Sequence, residues 1–426
     1  MPQPTILVVG FSGEKKFIQS ALDQGFTLFL LISKANYKEE YSNYFEKIFT
    51  VDNIFDWREI SKAVSDLHID GAITRFEKYV MVVSVVNTIL HLPSVDFKTA
   101  HKFRNKYLMK QAFIKHNVPS AKGILIENAQ DAKTFIEENN FPLFLKQISG
   151  FSSSLVTKIN SYNQLKESLS YFKKILSEEP GDLQKNITNV PEEFFVAAPD
   201  PKTNFLLEAA LTGKEITVDT FVTNNTFTHT PVCDYILSHE LKIDDHHLPI
   251  GSMPYSDLSD AQTKLVLDVV EKALRALGAN NCVTHAELFI NLNTNEINMV
   301  EIAARGGGMR GIMTNYVTDD DYYLSSFKAV SGIPDKSQFI PKRAASYMNI
   351  FADKQGILKN IDLDFIKEDK NIELVSHKLK IGDYVSPANK GGSFIAKILV
   401  KGEEYQDVLN KAKKTLHRIR SSFVIE

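Results

Sequence analysis

Two glutamates and an arginine, packed into one short stretch, are the residues of this chain best placed by type and spacing to do chemistry. In VTHAELFINLNTNEINMVEIAARGGGMR, residues 283–310, Glu287 and Glu301 stand near the ends of two short apolar runs, AELFI and INMVEIA, joined by the turn-rich NLNTNE. That pattern reads as a β-hairpin with a polar loop. Residues on paired strands can face the same side, so both carboxylates can converge on one spot. Two buried carboxylates side by side repel unless a cation lies between them, and carboxylates together with phosphate oxygens are the donors Mg2+ prefers. Arg305 then opens the glycine run ARGGGMRG. A guanidinium fork there could clamp a carboxylate or phosphate, and Gly307 and Gly308 would let backbone N–H groups approach a ligand closely. Alone, the two glutamates could equally be hairpin surface charges and the glycines a plain loop. Met309 could cap a pocket or merely pack.

Length and composition narrow the setting. A chain of 426 residues is too long for one ordinary core, so two or three domains are expected. Hydrophobic content of 43% and charged content of 24% are those of a globular protein with a sizeable core. A net charge of −3 leaves no basic excess, so nucleic acid is not an expected partner. No apolar run reaches the roughly 18 residues of a membrane span, so no membrane association is expected. Two cysteines far apart, Cys233 and Cys282, have neither metal-ligand spacing nor a disulfide framework, which fits buried free thiols in a reducing cytoplasm. The N-terminus shows no signal-peptide pattern.

The elements that must position the hairpin follow. ILVVGF, TLFLLIS, IFTVDN and GAITRF are apolar runs alternating with helix-like stretches, which predicts a parallel, Rossmann-like α/β domain over residues 1–98. Ligands of such sheets lie at the carboxyl ends of the strands, where Phe11-Ser12-Gly13, Arg75 and Glu77 fall. GFSGEK lacks the GxGxxG fingerprint, so dinucleotide binding is not expected. A helical linker at about 98–116 leads to FPLFLKQIS and SLVTKI, two strands flanking the small-residue loop SGFSSS. NFLLEAAL and KEITVDTFVTNNTFTHTPVCDYIL read as strands, 259–277 as a helix stopped by Gly278, and 320–331 as another. From about 343 onward strands reappear (ASYMNIFA, KIGDYV, SFIAKILVKG) before a last helix at 402–418.

Further candidates lie along these elements in a fixed order. Lys146 ends a strand just before the Ser/Gly loop, where it can reach nucleotide phosphates with backbone N–H groups of Gly150–Ser154 beside it; a solvated strand-end lysine is the plain alternative. LLEAALTGKE places Glu208 on a strand and Glu215 just after a glycine turn, where main-chain groups could meet an adenine edge and a carboxylate could take ribose hydroxyls.

The ordered set K…SGxSSS…LLEAALxGxE…HxE…EIAARxGG resembles the ATP-grasp superfamily over nearly the whole chain, and more closely the carboxylate–amine ligase branch containing the L-amino acid, dipeptide-forming ligases. The resemblance implies an α/β fold of three parts: a Rossmann-like pre-domain (1–98), a two-part ATP-grasp core (99–342, with a small lid subdomain at about 117–212) and a small α+β C-terminal module (343–426). It implies ATP and Mg2+, with Mn2+ as a substitute, as cofactors. Lys106, in RNK, and Lys146 match the lysines that hold nucleotide phosphates; Ser152, Ser153 and Ser154 match the loop covering them; Glu208, Ala209 and Leu211 match the adenine hinge; Glu215 matches the ribose acid. Glu287 and Glu301 match the Mg2+ ligands. Arg305 matches the arginine that binds a substrate carboxylate or acyl phosphate, and His285 a frequent neighbour of the first metal glutamate, with strand packing as its alternative. His246 or His247, in DDHHLP, stands near the expected acceptor-amine position with Asp244 or Asp245 as accompanying acid; the spacing is off by one residue and does not choose between them.

One position departs from the pattern. Many members place Asn two residues after the second metal glutamate; here it is Ala303, giving the EIAAR form close to the EIGAR of the amino acid ligases. This argues against the D-alanine–D-alanine ligase and biotin carboxylase patterns and leaves the metal site one protein ligand short. The implied activity is ATP-dependent joining of a small carboxylate, an amino acid being the leading choice, to an amine, with homodimer assembly common in the branch. The alternatives are a carboxyphosphate-using or purine-pathway ligase, and a nucleotide-binding regulator without turnover.

Overall fold

The computed structural model describes residues 3–150, 155–178, 186–238, 249–254, 258–387 and 392–426. The first part of the chain builds the anticipated parallel sheet. β1 (Thr5–Val9), β2 (Thr27–Ser33), β3 (Lys47–Val51) and β4 (Gly71–Ile73) pair in the order β3-β2-β1-β4, all parallel. Helices α1 (Lys15–Asp23) and α2 (Trp57–Val64) connect β1 to β2 and β3 to β4, and α3 (Val80–Ile89) follows β4. The near-continuous apolar runs of β1 and β2 are buried because helices cover both faces of such a sheet.

Two helices follow, α4 (Phe97–Arg104) and α5 (Lys106–Lys115). They meet at Asn105, whose side chain caps α5 by accepting from the N–H groups of Tyr107 and Leu108. A four-stranded antiparallel sheet comes next, in the order β5-β8-β6-β7: β5 (Gly123–Ile126), β6 (Leu143–Gln147), β7 (Val156–Ile159) and β8 (Phe205–Ala209). Helices α6 (Lys133–Asn139) and α7 (Tyr162–Glu178) accompany it, and α7 buries Leu165, Leu169, Phe172 and Leu176 against it.

The rest is organised by one nine-stranded sheet. Its strands are β9 (Lys214–Thr223), β10 (Thr226–His229), β11 (Cys233–Leu237), β12 (Pro249–Pro254), β13 (Cys282–Ile290), β14 (Ile297–Ala303), β15 (Ala344–Ile350), β17 (Ile372–His377) and β19 (Ala396–Gly402), in the order β14-β13-β9-β11-β12-β15-β19-β17 with β10 hooked onto β9. The tail is α+β, and three of its strands continue this same sheet across residue 343. The remaining strands, β16 (Gly356–Asn360), β18 (Tyr384–Val385) and β20 (Val424–Ile425), form a small separate sheet. Helix α8 (Asp260–Leu277) opens with a Ser259/Gln262 capping box and ends at left-handed Gly278. It packs Val266, Val270, Leu274 and Leu277 in the core that holds Ile216, Val218, Ala286 and Leu288 from one face of the sheet. Helix α11 (Tyr405–Ser421) covers the other half of that face through Val408, Ala412, Leu416 and Ile419.

The opposite face carries Glu287 and Glu301, and the register traces its course. Glu301 pairs Glu287, Glu287 pairs Thr217, and Thr217 pairs Cys233; Tyr235 pairs Ser252, Ser252 pairs Tyr347, and Tyr347 pairs Leu399. Directly opposed residues share a face, so these side chains line one surface. Helices α9 (Arg310–Val317) and α10 (Tyr322–Val330) sit on that side, α10 joining the N-terminal sheet through Phe327 and Val330. Among the described residues no helix is long and apolar enough to cross a membrane. Both cysteines are buried free thiols, pushed up to about 11 and about 12 by their burial.

Candidate active site

The hairpin of β13 and β14 brings Glu287 directly opposite Glu301. Strict alternation along β14 would have put Glu301 on the same side as buried Ile297 and Met299. Instead the register slips by one between Glu287 and Leu288, leaving Val300 without an opposing partner. This β-bulge turns Glu301 to the polar face and returns Ile302 to the core. The Lys106 ammonium lies 2.7 Å from Glu301 Oε2 and donates to the Gly150 carbonyl at 3.2 Å. The main-chain bond from Lys106 N–H to Ile148 O, 2.8 Å, fixes the start of α5 against the end of β6. The two candidate phosphate lysines are thereby brought to one side of the cleft.

Glu287 accepts from Tyr235 Oη at 2.8 Å and lies 3.5 Å from His285 Nε2. Burial would raise its pKa, but His285, Tyr235 and Lys106 hold it below the usual carboxylate range. His285 continues the chain through Nδ1, 2.6 Å from Asp219 Oδ1. Desolvation works against the imidazolium, yet Asp219 outweighs it and raises His285 to about 9. Asp219 is completely buried; desolvation opposes its charge, but His285, Arg310 and Tyr322 bring it down to about 2. Its Oδ2 accepts from Tyr322 Oη at 2.5 Å and from the Gly307 N–H at 2.8 Å. Asp219 thus ties the glycine loop to the floor of the cleft. His285 is buried but hydrogen-bonded, so it is an electrostatic link and not only a packing residue.

The glycines are needed for close approach. A Cβ on Gly306 would stand 2.0 Å from Tyr322 Oη, and one on Gly307 2.4 Å from Arg310 Cγ, whereas one on Gly308 would meet nothing within 4 Å. Arg305 precedes them, its Nε 2.7 Å from Glu77 Oε2 and its Nη1 donating to Gly306 O at 2.8 Å. Glu77 is also paired with Arg104. Gly308 lends its carbonyl to Arg75 Nη2 at 3.2 Å. Met309 is buried in an apolar cluster with Met313, Tyr347 and Leu399, so packing is its observed setting.

Lys146 forms a second focus. Its ammonium lies 2.7 Å from Glu208 Oε2, while Lys110 holds Glu208 Oε1 at 2.5 Å. Burial opposes the charge on Lys146, but Glu208 outweighs it and the shift is upward. Glu208 is itself almost fully buried, and the two lysines offset the desolvation that would raise its pKa. Ala209 donates its N–H to Lys122 O at 2.9 Å, and half-buried Leu211 lies in the connection to β9. Glu215, at the start of β9, contributes to the field at Lys146 and Tyr235. Ser152, Ser153, Ser154, His246, His247, Asp244 and Asp245 lie outside the described residues.

Sequence reasoning missed Asp219, Tyr235, Lys110, Tyr322 and Arg310. Asp219 had a signal: it is an acid inside KEITVDTFV, a β-branched, apolar strand. The other four gave none, since their roles arise from packing between distant elements.

Comparison with known proteins agrees with this geometry. Residues 139–313 match an ATP-grasp domain. Alanine–anticapsin ligase of Bacillus subtilis is 25% identical over 264 residues, a stretch covering 59% of this chain and 51% of that protein. The chain thus spans about half the length of the curated relatives it matches. The crystal structure of an L-amino acid ligase from Bacillus licheniformis superposes with a TM-score of 0.81 at 15% identity, covering 100% of this chain and 99% of the other. Phosphoribosylglycinamide synthetase from Anaerococcus prevotii does so with a TM-score of 0.66 at 20% identity and the same coverage. Residues 139–313 thus match an ATP-grasp domain, and the chain as a whole has the fold seen in the L-amino acid ligase structure, with a resemblance in sequence to alanine–anticapsin ligase.

Proposed function

We propose that this chain is an ATP- and Mg2+-dependent ligase that activates a small carboxylate, an amino acid being the leading choice, as an acyl phosphate and joins it to an amine, releasing ADP and phosphate. The carrying observation is the cross-strand pair Glu287 and Glu301, with the Lys106 ammonium seated on it. Two opposed carboxylates that already attract a cation, held at one edge of a buried polar face, suit a hard divalent ion that takes its remaining oxygens from phosphates and water. Mg2+ held by Glu287 and Glu301 would supply charge neutralisation at the transferring phosphoryl group.

The chain's own residues do the rest. ATP would lie between the two antiparallel sheets, with Lys106 and Lys146 on its phosphates. Glu208, Ala209 and Leu211 would border adenine, and Glu215 the ribose. Arg305, held by Glu77 at Nε and by the Gly306 carbonyl at Nη1, would offer the acyl phosphate a charge already fixed in place. The loop of Ser152, Ser153 and Ser154 would exclude water from this intermediate. His246 or His247 would take the proton of the attacking amine. The three-part division at 98 and 342, a cytoplasmic location and homodimer assembly complete the reading. The similarity of 59% of the chain to alanine–anticapsin ligase supports the choice of an amino acid as carboxylate.

Isotope transfer tests the reaction type. With 18O in the carboxylate of the activated substrate, one labelled oxygen should appear in the released phosphate. Phosphate free of label during net amide formation would exclude an acyl phosphate.

A further inference from the structure

Beyond the reacting centre, the polar face of the large sheet continues onto β15 and β19 and ends in a group of cations short of counterions. Lys397 directly opposes Asn349 across these strands, two residues along from the Leu399–Tyr347 pair, so all four side chains share that face. The Lys397 and Lys378 ammoniums flank one ring, Phe394, at 4.2 and 5.4 Å. Half-buried Lys397 is shifted below its ordinary value, first by burial and then by Arg75, with Lys378 adding to the effect and Glu14 opposing it. Arg75 comes from the end of β4 in the N-terminal sheet. It is ion-paired with Glu14, stacked over Phe17 and Tyr323, and donates to Gly308 O of the glycine loop.

The local charges do not balance. Among the described residues three cations, Arg75, Lys378 and Lys397, have one nearby carboxylate, Glu14. The next one, Glu373, is already held by Lys16 at 2.9 Å and Lys401 at 2.5 Å. Among the described residues Lys397 has no carboxylate partner. The Asn349 side-chain oxygen is buried there without a hydrogen-bond partner, and a rotation of the amide would present an N–H donor at the same point. Crowded like charges beside an unsatisfied amide are costly unless something anionic is bound between them.

We propose that Lys397, with Lys378, Arg75 and Asn349, forms a subsite for a compact oxyanion, carboxylate or phosphate, carried by one of the substrates at a position remote from the reacting group. Because Arg75 also holds Gly308, the subsite is coupled to the loop that carries Arg305. The substrate class is therefore a molecule with a second negative charge, such as an acidic or phosphorylated amino acid. Calling it a substrate rests on the ligase reading; the site itself does not.

Calorimetric titration of the full chain, with ADP and Mg2+ filling the nucleotide site, tests this. The probes are L-glutamate against L-glutamine and O-phospho-L-serine against L-serine, on wild type, Lys397→Gln and Lys378→Gln. At least one anionic probe should bind tenfold or more tightly than its neutral counterpart. Lys397→Gln should erase most of that preference and Lys378→Gln part of it, with ADP affinity and melting temperature unchanged. Whichever pair shows the preference identifies carboxylate or phosphate as the group read. No preference in wild type, no binding of any probe, or a preference untouched by Lys397→Gln overturns the proposal. Anion binding with the expected Lys397 dependence but no ATP turnover with any amine would sink the ligase reading and leave the subsite standing.

Discussion

At the scale of single residues, buried charges decide the site, and each has a partner whose loss should be felt. Glu208 is clasped by Lys110 and Lys146. Removing one member of a buried ion pair leaves an uncompensated charge and costs about 3–5 kcal/mol. Glu208→Ala should therefore destabilise the chain by that order in chemical denaturation, whereas the double variant Glu208→Leu/Lys110→Met should recover part of the loss. A single variant within about 0.5 kcal/mol of wild type would mean that the triad is not held as described. The Asp219–His285 pair sets a pH signature. The Asp219 pKa is depressed, to about 2, so its contribution is present above the ordinary carboxyl range and lost as pH falls through 2. That of His285 is raised, to about 9, so its contribution is full below its ordinary value and lost as pH rises through 9. Stability should decline by up to about 3 kcal/mol between pH 6.5 and 9, and His285→Gln should flatten that decline. An equal slope in both proteins would remove the imidazolium from the account.

Elements, in turn, place these residues, and the glycine loop shows how tightly. Gly306 and Gly307 lie against Tyr322 and Arg310, while Gly308 faces open space. Gly307→Ala forces its neighbours apart and should cost about 1–3 kcal/mol together with most of the activity. Gly308→Ala should leave the melting temperature near wild type. Matching effects of the two substitutions in thermal unfolding would contradict the loop geometry. The hairpin was legible in the sequence because AELFI and INMVEIA flank a turn-rich segment, and even the bulge has a trace there: apolar residues at 297 and 299 shift parity to 302. The parallel N-terminal sheet and α8 were legible for the same reason, from runs and caps written locally. β16 and β17 were not, since GILKN and IELVSH lack clean alternation. Asp219 escaped because its role exists only when His285, Tyr322 and Gly307 converge from three separate elements.

For the molecule as a whole, pairing between distant segments could not be read from local pattern. Three strands of the C-terminal part complete the sheet whose other edge holds Glu301, so the surface carrying the metal pair is continuous with the one carrying Lys397. The N-terminal sheet docks by close contact: a Cβ on Gly71 would lie 2.4 Å from Val330 O at the end of α10. Gly71→Ala should therefore wedge this junction, lowering stability by about 1–3 kcal/mol and increasing protease cleavage between residues 90 and 100. Unchanged cleavage and stability would show that the junction yields freely. The central claim, that Glu287 and Glu301 support ATP-dependent ligation, is tested most directly by phosphate release from ATP and Mg2+ with the twenty L-amino acids, singly and in pairs, for wild type and Glu301→Ala. The account predicts release only with particular pairs, reduced on the order of 10²–10³-fold in the variant. Release that ignores the amino acids, or that survives in Glu301→Ala, would contradict it.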